Sequence, residues 1–172
     1  LYIDEMMEAH NELVERRDES FVKLIEKFDN IKSIDFVPPD EVSNVLRKYQ
    51  KEGFKWLRSV EELGFGGILA DDMGLGKTLQ TIAFLSSVAT ADSKILILAP
   101  SSLIYNWKEE FEKFAPQMEV EVIYGLKASR DEVIASNPQV AITSYASFRQ
   151  DVEQYEKNQY QHLILDEAQV MK

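Results

Sequence analysis

The chain has 172 residues, 45% apolar and 28% charged, with 7 Gly, 5 Pro and no Cys, which suits an ordinary globular domain and excludes collagen-like, low-complexity and disulfide-stapled classes. Its 19 Lys and Arg against 30 Asp and Glu leave a net charge of −11, a balance that by itself speaks against a nucleic-acid binder, whose backbone contacts need a basic surface. No apolar run approaches the roughly 18 residues of a membrane span, so no membrane partner is expected, and no signal-peptide or transit pattern opens the sequence. The charge is uneven, however: residues 1–45 carry −7, residues 46–99 carry +1 and residues 100–172 carry −5.

Residues 3–29 read as one amphipathic helix, with Met6, Leu13, Val14, Phe21, Leu24, Ile25 and Phe28 set between charged positions. Val37-Pro38-Pro39-Asp40 interrupts regular structure, because consecutive prolines lack donors and fix the backbone. A boundary is therefore expected there, between an acidic helical extension over residues 1–40 and a domain over residues 41–172. A second helix is predicted over residues 42–63, carrying Val45, Leu46, Tyr49, Trp56, Leu57, Val60 and Leu63, with Gly53 inside it at some cost. Beyond residue 65, short apolar runs at Gly67–Ala70, Ile95–Ala99, Val120–Tyr124, Val140–Thr143 and Leu163–Leu165 suit strands buried on both faces. Helical segments are predicted between them at Thr78–Val88, Leu103–Phe114 and Ser129–Ala135, the last opened by the capping-box spacing Ser129-x-x-Glu132. The alternation implies an α/β fold, a mostly parallel sheet flanked by helices, whose ligands bind at the carboxyl ends of the strands.

Two constellations carry chemistry. Asp71-Asp72-Met73-Gly74-Leu75-Gly76-Lys77-Thr78 follows the first apolar run and leads directly into a helix beginning Leu79-Gln80-Thr81. Strand, glycine loop and helix are the context a phosphate loop requires, since backbone N–H groups and the positive helix end converge on an anion. Lys77 supplies a cation for the outer phosphates, and the Thr78 hydroxyl can ligate magnesium. The usual spacing begins with Gly, whereas Asp71 stands here. The second constellation, Leu163-Ile164-Leu165-Asp166-Glu167-Ala168-Gln169, places two carboxylates where a strand ends. Asp166 suits a magnesium ligand and Glu167 a base that orients and deprotonates an attacking water. His10 and His162 with no Cys assemble no zinc site, and no serine sits in a Gly-x-Ser-x-Gly elbow. Trp56 and Trp107 are read as packing residues, and Met6, Met7 and Met73 as core or loop residues.

Together these stretches resemble the Swi/Snf-type helicase-like DNA translocases of superfamily two, more closely the bacterial members. Further stretches agree in order: Leu46-Arg47-Lys48-Tyr49-Gln50 with Gly53, Trp56 and Leu57; Ala99-Pro100-Ser101-Ser102-Leu103-Ile104-Tyr105-Asn106-Trp107; and Ile142-Thr143-Ser144-Tyr145. The resemblance spans residues 46–172 and implies a RecA-like three-layer fold with ATP and Mg2+ as cofactors. It implies nucleotide contacts from Gln50, which would read the adenine edge, and from the loop Asp72, Met73, Gly74, Leu75, Gly76, Lys77, Thr78 and Leu79. It implies catalysis by Lys77, Asp166 and Glu167, and contacts to the DNA strand from Ser101, Ser102 and Thr143. The family motor has two similar lobes with an arginine finger on the second, so the chain is expected to be the amino-terminal lobe of a double-stranded-DNA translocase, partnered by a carboxyl-terminal lobe. A cytoplasmic, nucleoid-associated location goes with that. A strand-separating DNA or RNA helicase, and a nucleotide-gated interaction module whose helix 3–29 docks a protein partner, stay open as alternatives.

Overall fold

The computed structural model describes residues 19–31, 33–72 and 74–170. Its elements run α1 (Glu19–Ile31), α2 (Asp40–Ser43), α3 (Lys48–Leu63), α4 (Lys77–Val88), β1 (Ile95–Ala99), α5 (Ile104–Phe114), β2 (Val120–Ile123), α6 (Lys127–Ser136), β3 (Val140–Ser144), α7 (Tyr145–Tyr155), β4 (His162–Leu165) and a 3-10 turn Ala168–Val170. The first part of the helix expected over 3–29 lies outside the described residues, as do His10, Met6 and Met7. All four strands are parallel, in the order β2-β3-β1-β4. Ile97 sits opposite Ile142 on one side and Ile164 on the other.

The runs of Ile, Leu and Val in β1 and β3 exist because both faces of these central strands are covered, every residue of each being buried. Alternate side chains enter two separate cores. Ile95, Ile97, Ala99, Val140 and Ile142 pack with Phe54 of α3, Ile82 and Leu85 of α4, and Trp107 and Phe111 of α5. Leu96, Leu98 and Ala141 face the other way, onto Ile134 of α6 and Tyr155 of α7. Full burial of one such aliphatic side chain contributes about 1.5–3 kcal/mol. Between α6 and α7 lies a buried ion pair: Arg130 Nε donates to Asp151 Oδ2 at 2.5 Å and Nη2 to Oδ1 at 3.1 Å. Arg130 Nη1 also donates to the Gly125 carbonyl at 2.6 Å.

Four local expectations change. The helix expected over 42–63 is two helices, because residues 44–47 turn: Arg47 is extended at the N-cap of α3, and its backbone N–H donates to Gln50 Oε1 at 2.8 Å. Residues 67–70 form no strand, since no described strand lies alongside them, and Ile68 is 86% exposed. Helix α6 begins at Lys127, two residues before Ser129, so the Ser129-x-x-Glu132 spacing lies within the helix and does not cap it. Helix α7 was not expected from the sequence pattern; it starts from Ser144, whose Oγ accepts from the Ser147 N–H at 3.1 Å. Ahead of the sheet, α1 rests on the end of α3, with Phe28 and Phe65 rings 6.4 Å apart and Lys27 Nζ donating to the Glu62 carbonyl.

Candidate active site

The glycine loop ends in Gly76, which caps α4 in the left-handed region at φ 73°; Gly74, earlier in the loop, is also left-handed at φ 82°. Gln80 N–H closes the first helical bond onto the Gly76 carbonyl at 3.1 Å. Lys77 is thus the first residue of α4, at the end where free N–H groups favour anions. Its ammonium is docked on its own loop, donating to the Asp71 carbonyl at 2.8 Å and the Asp72 carbonyl at 3.2 Å. Gln50 is buried beside this loop. Its Nε2 donates to the Leu75 carbonyl at 3.1 Å while its Oε1 accepts from Arg47 N–H, and Tyr49 Oη donates to the same Leu75 carbonyl at 3.1 Å. Both halves of the Gln50 amide are therefore engaged within the protein.

A cleft of about 280 Å³ opens beside the loop. It is lined by Gly74, Gly76, Lys77, Thr78 and Leu79 from the loop and α4, by Leu103, Asn106, Trp107 and Glu110 beside them, and by Asp166 and Glu167 after β4. The last two arrive because β4 ends there: Asp166 N–H donates to the Leu98 carbonyl at 2.8 Å, and Glu167 turns the chain at φ 51°. Asp166 Oδ2 accepts from the Trp107 indole N–H at 2.9 Å, and its carbonyl accepts from the Tyr145 hydroxyl at 2.8 Å. Burial raises the Tyr145 phenol above its ordinary range, reinforced by the Asp166 and Glu167 carboxylates. Glu167 Oε2 accepts from the Gln169 amide. Residues 77 and 166 are distant in sequence, and the parallel topology brings both to the same edge of the sheet.

Comparison with known proteins places this arrangement. The model of the SNF2-related domain matches residues 49–172. The chain belongs to the SNF2-related family. It is 44% identical over 133 residues to an uncharacterized ATP-dependent helicase of Mycoplasma genitalium, covering 75% of this chain and 13% of that protein. It is 40% identical over 167 residues to Helicase SWR1 of Debaryomyces hansenii, covering 92% of this chain and 10% of that protein. Among solved structures it matches the Sulfolobus solfataricus SWI2/SNF2 ATPase core in complex with dsDNA, with TM-score 0.64 and 38% identity, over 72% of this chain and 26% of that one. The chain thus spans a small part of each relative. The parallel sheet with helices on both faces is the RecA-like fold of that ATPase core.

Within this family member, the expected site residues do not all reach one place. Lys77, Thr78, Leu79, Gly74, Gly76, Asp166 and Glu167 share the cleft; Asp72 and Leu75 hold the loop through their carbonyls; Met73 lies outside the described residues. Ser101 and Ser102 are exposed in the turn after β1. Thr143 is fully buried in β3, where its hydroxyl donates to the Ile123 carbonyl at 3.0 Å. In this structure the Thr143 side chain offers no surface to a phosphate. His162 meets Glu61 Oε1 at 3.1 Å and sets its ring edge-on to Phe84, so it serves packing.

Asn106, Trp107, Glu110 and Tyr145 were not singled out as site residues from the sequence. A signal for three of them existed: with Leu103 they fall at i, i+3, i+4 and i+7, one helical face. Two polar residues on the face that carries Trp107 mark it as lining a cleft. Nothing in the local sequence points Tyr145 at Asp166.

Proposed function

We propose that the chain is the amino-terminal nucleotide-binding lobe of an ATP-dependent double-stranded-DNA translocase. The observation that carries this reading is the meeting of Lys77, Thr78, Asp166 and Glu167 in one cleft at the carboxyl edge of the parallel sheet. Lys77 leaves the Asp71 and Asp72 carbonyls to hold the outer phosphates, while the loop and the amino end of α4 receive the rest of the chain of phosphates. The bound DNA of the Sulfolobus ATPase core supports a duplex as partner.

Magnesium fits the donors present. The Thr78 hydroxyl and the Asp166 carboxylate both line the cleft, and a hydroxyl with one carboxylate suits an ion that completes its shell with phosphates and water. Thr78 and Asp166 would hold it, and it would neutralise charge on the transferred phosphoryl group. The indole N–H of Trp107 takes one oxygen of Asp166 and fixes its rotamer. Glu167 orients and accepts a proton from the attacking water. Gln50 sets the height of the loop through Leu75, and adenine reading by its amide requires exchange of that bond.

Two variants of the full-length protein test the assignment, using binding of a fluorescent ATP analogue and DNA-stimulated phosphate release. Lys77→Ala should lose nucleotide affinity; Glu167→Gln should keep affinity and lose turnover by roughly 10²–10⁴. Parental turnover in Glu167→Gln would remove it as the base. Displacement of a triplex strand without separation of a duplex supports translocation, and duplex separation overturns it in favour of a helicase.

A further inference from the structure

Asp71 occupies the position where phosphate-loop spacing ordinarily begins with Gly, so a side chain is present that a glycine loop does not need. Its carboxylate has a partner: Gln80 Nε2 donates to Asp71 Oδ2 at 3.1 Å. Gln80 sits on α4 three residues after Lys77, on the neighbouring ridge of the same helix, and is fully buried. Burial of an amide is unfavourable unless it is hydrogen-bonded, and Gln80 Oε1 has no hydrogen-bond partner among the described residues. Packing alone does not account for Gln at this position, since Leu fills a similar volume with no orphaned oxygen.

The facing helix is shaped around this amide. Gly53 lies inside α3, where glycine weakens a helix. A Cβ added at Gly53 would fall on Gln80 Oε1. Residue 71 therefore carries two bonds at once: its carboxylate is tied to Gln80, and its carbonyl receives the Lys77 ammonium. The connection runs from Gly53 through Gln80 and Asp71 to Lys77.

We propose that Gln80, admitted by Gly53, is a positioning residue that ties the start of the glycine loop to α4 through Asp71 and so sets the nucleotide affinity of the Lys77 loop. This rests on the nucleotide-binding reading above. Without the tie, the loop must be ordered at the moment of binding, which weakens affinity. Gln80 lies outside the cleft lining, so the effect falls on KM for ATP and on the dissociation constant, with kcat changed less.

The test measures the dissociation constant of a fluorescent ATP analogue, the KM and kcat for ATP, and the thermal midpoint in the full-length protein. Gln80→Leu and Asp71→Ala should each weaken nucleotide binding about three- to tenfold, less than the full strength of one hydrogen bond to a charged group, and the double variant should be no weaker than the worse single. Gly53→Ala replaces glycine with a better helix former and should show the same loss. Combined with Gln80→Ala, which removes the side chain that the new methyl meets, it should lose nothing further. Parental affinity in Gln80→Leu, or losses that multiply between Gln80→Leu and Asp71→Ala, overturns the proposal. Lys77→Ala separates the two readings: parental affinity there overturns nucleotide binding by this loop, whereas loss in Lys77→Ala with none in Gln80→Leu overturns only the positioning role.

Discussion

Trp107 is 2% exposed, its ring 6.2 Å from that of Phe111, and its indole N–H reaches Asp166 at 2.9 Å. One side chain thus closes the core beneath α5 and fixes the strand-end acid of the cleft. The sequence reading as a packing residue captured the first role alone, because the second joins positions 59 residues apart. Trp107→Phe keeps most of the apolar contact and deletes the donor. Stability should fall by about 1 kcal/mol, the net contribution of one hydrogen bond, as measured by urea unfolding. Turnover should fall more than KM rises, because the rotamer of Asp166 is freed while the Lys77 loop is untouched. Parental kcat in this variant would show that Asp166 needs no anchor. By contrast, Lys77, Thr78, Asp166 and Glu167 were legible from the sequence, since each stands in a short pattern whose flanking strand or helix is itself readable.

Helices α6 and α7 are joined by Arg130 and Asp151, whose carboxylate is fully buried at a break in α7, where φ is −119°. The hydrogen bonds from Arg130 hold the Asp151 carboxyl below its ordinary range, against the opposing effect of burial. A carboxyl lowered on folding adds stability that is complete above its unfolded value of about 4 and that is lost as pH falls through the lowered folded value. Asp151→Asn should cost about 3 kcal/mol at neutral pH, since Arg130 is left buried without its counter-charge. It should also flatten the acid limb of the stability curve. An unchanged limb in the variant would assign the acid sensitivity to other carboxylates. The pair escaped sequence reading for the reason α7 did: its two ends lie on different helices, and α7 has no unbroken apolar stripe. The strands β1 and β3 were legible because burial on both faces demands continuous apolar runs. Residues 67–70 carry the same composition without a ladder beside them, and composition alone does not supply one.

At the scale of the whole molecule, charge decides what this chain does alone. The net charge is −11, and the cleft lining sets Glu110, Asp166 and Glu167 against Lys77 as its one cation among the described residues. A triphosphate is a polyanion, so a lining of three carboxylates and one ammonium repels it unless a divalent ion intervenes and further positive charge comes from elsewhere. The chain covers 26% of the Sulfolobus ATPase core, and on the proposed two-lobe reading an arginine supplied across the cleft would speed phosphoryl transfer by on the order of 10³–10⁵. The 172-residue chain should therefore bind the ATP analogue weakly, lose that binding in EDTA, and hydrolyse ATP on the order of 10³ more slowly than the full-length protein. DNA should stimulate it little, because the exposed Ser101 and Ser102 turn offers hydroxyls without a basic surface. The comparison requires matched nucleotide, duplex DNA and salt, since both effects are electrostatic. A DNA-stimulated rate in the 172-residue chain equal to that of the full-length protein would mean that this cleft already holds every charge the reaction needs, and the two-lobe reading would fall with it.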